Sequence, residues 1–179
     1  PVAWVADLAT SHHQSAFCYC SDDAGASWRA GRGQALLPES RVGCQEPGLV
    51  ELADGQGVLM IIRTDQGYVY AARSRDQGET WSAPAPLIDL PAPASPATIA
   101  RLPDDSLLIV YNHVPDGAHA AWKDRTPLAA ARSVDGGYTW RRLDDIEPSA
   151  DYAYAYTSLR LYGEQLVLTY YVWPRSTAR

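Results

Sequence analysis

Ser21-Asp22-Asp23-Ala24-Gly25-Ala26-Ser27-Trp28 decides how this chain is read, because it returns twice. The second copy is Ser74-Arg75-Asp76-Gln77-Gly78-Glu79-Thr80-Trp81, and the third is Ser133-Val134-Asp135-Gly136-Gly137-Tyr138-Thr139-Trp140. All three obey S-x-D-x-G-x-S/T-W without a mismatch. Recurrence at roughly 50 to 60 residues signals a repeat architecture. Each position has a physical job. The Asp carboxylate accepts backbone N–H bonds within its own turn. The Gly supplies a backbone conformation that a Cβ resists. The Ser or Thr hydroxyl bonds back to the turn, and the Trp opens a new strand and buries a large ring. Reading Asp23, Asp76 and Asp135 as catalytic carboxylates is the alternative. Repetition at a fixed period favours the structural role.

The chain has 179 residues, 46% hydrophobic and 20% charged, which is enough to bury a core. Its net charge of −6 carries no basic footprint, so no nucleic-acid partner is expected. No apolar run approaches the roughly 20 residues that cross a bilayer as a helix. The first residues, Pro1-Val2-Ala3-Trp4, do not read as a secretory signal, and the compartment stays open. Cys18, Cys20 and Cys44 have poor metal spacing and an odd count, so buried free thiols are expected, with no metal or other cofactor.

Short β-rich runs bounded by Gly, Pro, Asp and Asn dominate the chain. Strands are expected at Val2–Ala9 and Ser15–Ser21, with a short one from Trp28 and a loop over 30–43. Pro47–Leu52, Val58–Arg63 and Tyr68–Ser74 follow, with a fourth strand starting at Trp81 and a Pro/Ala-rich loop over 83–96. Ala97–Leu102 and Leu107–Asn112 come next, then an insertion at 113–127, then Leu128–Ser133 and Trp140–Leu143. Ala155–Tyr162 and Leu166–Trp173 end the series. Repeated four-stranded units of this size are the blades of a β-propeller. The reading is a single all-β domain over 1–179: a partial blade (1–43), two full blades (44–90 and 91–150) and a half blade (151–179).

The three repeated turns resemble the Asp boxes of the sialidase superfamily of six-bladed propellers. Further segments narrow the resemblance. Glu46-Pro47-Gly48-Leu49-Val50-Glu51-Leu52-Ala53-Asp54-Gly55 through Arg63 is similar to the sialidase segment in which a Glu opens a blade and an Arg closes its second strand. Arg125-Thr126-Pro127-Leu128 resembles the segment of another triad arginine, and Ala155-Tyr156-Thr157-Ser158-Leu159 resembles the one holding the tyrosine nucleophile. The Cys44-Gln45-Glu46-Pro47 variant is closest to bacterial sialidase-like proteins whose substrates are less settled than those of sialidases proper. The chain resembles the C-terminal half of the propeller.

The resemblance implies a retaining exo-glycosidase acting on an acidic, sialoside-type sugar. A carboxylate nucleophile would be repelled by the sugar's own carboxylate, and tyrosine avoids this. Tyr156 is then the nucleophile, with Tyr154 as its rival, and Glu46 the carboxylate that takes the phenol proton. Arg63 and Arg125 would hold the sugar carboxylate through the guanidinium fork, with Asn112 and Thr64 on the pocket wall. The family's first triad arginine and its acid/base aspartate lie in a first blade that this chain lacks. A carbohydrate-binding module without turnover, or a purely structural propeller piece, is therefore the alternative. Unpaired blade edges would also let two copies close one ring as a homodimer.

Overall fold

The computed structural model describes residues 2–6, 13–115 and 124–175. Strands β1 (Val2–Ala6), β2 (Gln14–Cys20) and β3 (Arg29–Ala35) form one sheet. A four-stranded sheet follows, made of β4 (Gln45–Glu51), β5 (Val58–Arg63), β6 (Tyr68–Ser74) and β7 (Ala85–Pro91). A second four-stranded sheet holds β8 (Thr98–Arg101), β9 (Leu107–Asn112), β10 (Leu128–Ser133) and β11 (Arg141–Glu147), and β12 (Tyr152–Tyr162) pairs with β13 (Gln165–Pro174). Every strand-to-strand pairing among the described residues is antiparallel between chain neighbours. The first strand of each sheet packs beside the first strand of the next, in the order β1, β4, β8, β12. Successive meanders joined along their inner strands are propeller blades. The fold is all-β and the ring is not closed, a partial propeller. The sole helical element among the described residues is a single turn at Ala53–Gly55. Among the described residues no helix is long and apolar enough to cross a membrane.

The core lies between blades. Strand β5 is a nearly unbroken apolar run because both of its faces are covered. Leu59 and Ile61 join Leu107, Ile109 and Trp140 between the second and third blades. Met60 and Ile62 point the other way and join Cys44 and, from the first blade, Ala16 and Ala35. A third cluster packs Val110 and Leu128 against Tyr154, Leu168 and Tyr170 of the β12–β13 hairpin. Cys18 and Cys44 are free and buried, and burial pushes their thiols up to about 11 and about 12. They are space-filling rather than reactive at neutral pH.

Each Asp box is a closed hydrogen-bond net. In the second, Ser74 Oγ donates to Asp76 Oδ1 (2.8 Å) and accepts from Gly78 N (2.8 Å). Thr80 donates its backbone N–H to Asp76 Oδ1 (2.9 Å) and its hydroxyl to Oδ2 (2.6 Å). The other boxes repeat these bonds around Asp23 and Asp135. The box glycine has φ of +95°, +92° and +85° at Gly25, Gly78 and Gly137, a region closed to most side chains.

The boxes also lock neighbouring blades. Gly33 N donates to Glu79 O (2.7 Å), and Arg29 and Arg32 both reach the Glu79 carboxylate. Arg73 donates to Gly136 O (2.9 Å) and lies over the Tyr138 ring, while Trp140 N donates to Asp89 Oδ2 (2.9 Å). Trp81 and Trp140 pack into the cluster shared with the preceding blade. Trp28 has no preceding blade in this chain and is 51% exposed.

Three expectations are corrected. The stretch 30–43 begins as a strand: Gly31 and Gly33 sit on β3, where a Cβ on Gly31 would lie 2.8 Å from Gly78 O. They permit close approach of a box rather than mark a loop. Within the expected loop 83–96, residues 85–91 form β7, an edge strand that tolerates its prolines. Trp81 does not open a strand, since β7 starts at Ala85. The expected strand Val2–Ala9 is described as far as Ala6, and 116–123 of the expected insertion lie outside the described residues.

Hydrogen bonds from the Thr80 hydroxyl, the Thr80 N–H and Ser74 hold the Asp76 carboxyl at about 2. Burial raises Asp135, but bonds from Thr139 and Ser133 outweigh it and hold this group at about 2 as well. Carboxyls depressed on folding stabilise the fold above their unfolded value of 3.8 and lose that contribution as pH falls through about 2. Urea unfolding followed against pH should therefore show stability falling between about pH 4 and pH 2. Asp76→Asn should lower the plateau and make that acid limb shallower. An unchanged limb in the variant would contradict the box account.

Candidate functional site

The candidate residues lie at the blade ends opposite the Asp boxes. In the second blade, Val58 pairs with Ser74, which opens a box, whereas Arg63 at the other end of β5 pairs with Gln45. In the third, Leu107 pairs with Ser133 of a box, whereas Asn112 pairs with Leu128. Arg125 precedes β10 at that same end, and its carbonyl accepts from Tyr154 N (3.0 Å), which brings β12 there too.

Glu46 and Tyr156 share a backbone feature. Among the described residues, the non-glycine residues with positive φ are Ala24, Gln77 and Asp105, all in turns, and Glu46 (+43°) and Tyr156 (+55°), both inside strands. Each strand residue sits at a register break, between Gln45 and Gly48 on β4 and between Ala155 and Ser158 on β12. A bulge re-aims the side chain it carries, and a bulky residue held in this region costs on the order of 1–3 kcal/mol. Local propensity does not explain such strain in an aromatic residue.

The side chains form two groups. Arg63 Nη1 donates to Glu46 Oε2 (2.8 Å), half-buried beside a shallow cleft that Tyr68, Pro93 and Ser95 also line. Arg63 Nε is buried without a partner. In the second group, the Arg125 guanidinium stacks between the rings of Tyr156 (5.3 Å) and Trp173 (5.9 Å), and Tyr156 packs on Tyr171 (5.8 Å). Glu46 sits on β4 and Tyr156 on β12, with β8 between them. Among the described residues no hydrogen bond joins Glu46 to Tyr156, so the relay expected from sequence is not formed here.

Other expectations sort by burial. Tyr154, the rival nucleophile, is 2% exposed and T-stacked on Tyr170 in the core, whereas Tyr156 is 48% exposed. Thr64 is buried, and its hydroxyl accepts from Gln66 N (3.1 Å). Asn112 is also buried rather than on a pocket wall, with its amide donating to the carbonyls of Arg125 (2.9 Å) and Tyr154 (3.1 Å). Sequence reading missed Tyr171 and Trp173 at the site. The hairpin register carried the signal, since the turn at Gly163 places them across from Ala155 and Ala153. Among the described residues no cluster of His, Cys, Asp and Glu is placed to hold a metal ion.

Relief of the strain at Tyr156 should let Tyr156→Gly unfold at no lower a urea midpoint than wild type. Ala155→Gly, at a buried neighbour of ordinary φ, should cost about 0.5–1 kcal/mol. Tyr154→Ala should cost about 3–5 kcal/mol as a core truncation. A Tyr156→Gly loss as large as that of Ala155→Gly would remove the strain argument.

The comparisons with known proteins bear on the family and the fold. The family model described as a BNR repeat-like domain matches residues 4–167. Among curated proteins none matches. Trypanosoma rangeli sialidase in complex with sialic acid superposes with a TM-score of 0.68 at 16% identity, over 89% of this chain and 25% of that one. The K499G mutant of NanB sialidase from Streptococcus pneumoniae gives 0.61 at 19% identity, over 84% and 22%. A Dyadobacter fermentans protein of unknown function gives 0.72 at 20% identity, over 98% and 46%. The chain thus spans about a quarter of the length of the sialidases it matches and just under half of the Dyadobacter protein. By its repeats, its blades and this match, the chain belongs to the BNR repeat-like family and carries part of a sialidase-type propeller.

Proposed function

We propose that this chain carries the tyrosine half of a sialidase-type site for an acidic sugar. Tyr156 would be the nucleophile and Glu46 the base, with Arg63 and Arg125 holding the sugar carboxylate. One observation carries the reading: among the described residues, the two non-glycine strand residues with positive φ are the two that the chemistry needs, at the blade ends opposite the boxes. The guanidinium of Arg125 lies beside the Tyr156 ring, where a substrate carboxylate would meet it. Arg63 Nε, buried and unpartnered, supplies a donor that a bound anion would satisfy.

The Glu46–Arg63 bond favours a second reading, sugar binding without turnover, because it occupies the carboxylate that the relay needs. Ligand titration followed by NMR tests the shared part. N-acetylneuraminic acid should bind and lactose should not, and Arg63→Ala or Arg125→Ala should weaken binding about tenfold or more. No binding, or equal binding of the neutral sugar, would end both readings. Release of dye from a fluorogenic sialoside separates them. A chain lacking the general acid should be slower than a complete sialidase by about 10²–10⁴-fold.

The acidic sugar is one partner; we further propose a second copy of this chain as another. The hairpin β12–β13 leaves Tyr162, Tyr171 and Val172 exposed on an edge, a template for pairing. Gel filtration with light scattering should give the mass of a dimer. A monomer that persists on concentration would contradict this.

A further inference from the structure

We infer that Asn112 is a positioning residue: it sets how Arg125 and Tyr156 meet, without touching the sugar. This rests on the acidic-sugar reading above. Asn112 ends β9 and is 1% exposed. Its Nδ2 donates to Arg125 O and to Tyr154 O. The Arg125 carbonyl accepts a further bond from Tyr154 N. One amide therefore joins three stretches: the end of β9, the segment before β10, and β12 two residues ahead of Tyr156.

The orientation of that amide is fixed by its partners. Both facing atoms are carbonyl acceptors, so the NH₂ must turn toward them. The oxygen is then turned away, buried and without a partner. A residue chosen to fill space would not strand an acceptor in this way, and a leucine of similar bulk would strand none. The two donors are what the position requires. They hold the backbone of Arg125 at a set distance from that of β12, and the Arg125 guanidinium consequently falls over the Tyr156 ring. Thr126 supplies a separate tie to β12 through its hydroxyl and Tyr152 O. Losing the Asn112 donors should therefore loosen the meeting of Arg125 and Tyr156 rather than detach the segment.

The test uses Asn112→Leu, which keeps bulk without donors, and Asn112→Asp, which keeps shape without the amide N–H groups. Ile109→Val, a core trim on the same strand, is the control. Tyrosine labelled with ¹³C at Cζ reports the site by NMR, with the Tyr156 signal assigned through Tyr156→Phe. The dissociation constant for N-acetylneuraminic acid is measured alongside. Both Asn112 variants should stay folded, shift or broaden the Tyr156 signal, and weaken the sugar by about tenfold to a hundredfold, the scale at which small misplacements are felt. Ile109→Val should lower the melting temperature with neither change. A Tyr156 signal unmoved in a folded Asn112 variant, or moved equally by Ile109→Val, overturns the inference. Failure of both Asn112 variants to fold also overturns it, by making Asn112 a folding residue. A wild-type chain that ignores the sugar ends the proposed function, and the NMR signal alone then judges Asn112.

Discussion

The carboxylate at the centre of each Asp box is the constraint on which the structure depends. Two oxygens accept from one Ser or Thr residue twice, through its N–H and its hydroxyl, and from the serine two residues before the Asp in the same turn. This closes the connection between a blade's third and fourth strands with no help from the core. The same turn then presents its backbone to the blade before it, through Gly33 to Glu79 and through Arg73 to Gly136. A surface turn thus sets both the inner geometry of one blade and its distance from the next. The apolar strands fill the gap that is left, with β5 feeding alternate side chains into two interfaces.

With one rim given over to hydrogen-bonded turns, the other is free to carry strain. Glu46 and Tyr156 occupy bulges there, each on the inner strand of its sheet. A sheet paired on rigid neighbours can hold an unfavourable φ that an isolated strand would relax. Stability comes from the boxes and the blade interfaces, and the strained end carries the candidate residues. Arg63 and Arg125 contribute unequally to it. Arg63 is neutralised by Glu46 within its own blade, whereas Arg125 is packed between aromatic rings and fastened by its backbone.

Much of this was legible in the residues because the boxes repeat. The turn chemistry, the blade order and the apolar central strands follow from local pattern and period. The errors came where a tertiary contact, not local structure, chose the residue. Gly31 and Gly33 read as a loop, yet they are small because the second box lies against them. The prolines around β7 read as a break, yet an edge strand accepts them. At the site, likeness to known segments singled out Glu46, Arg63, Arg125 and Tyr156. It could not show that Glu46 would bond Arg63, since that depends on the bulge aiming its side chain. Nor could it show that Asn112 faces two carbonyls instead of solvent, because both partners are distant in sequence.

The most direct test is covalent trapping with a 2,3-difluorinated sialic acid. Fluoride leaves without a proton, so the measurement does not depend on a general acid. The 3-fluoro group slows hydrolysis of the adduct, so intact mass and peptide mapping can locate it. The account predicts a single glycosyl adduct on Tyr156 that disappears in Tyr156→Phe. An adduct on Glu46 or Tyr154, or an unmodified chain at saturating reagent, would contradict it.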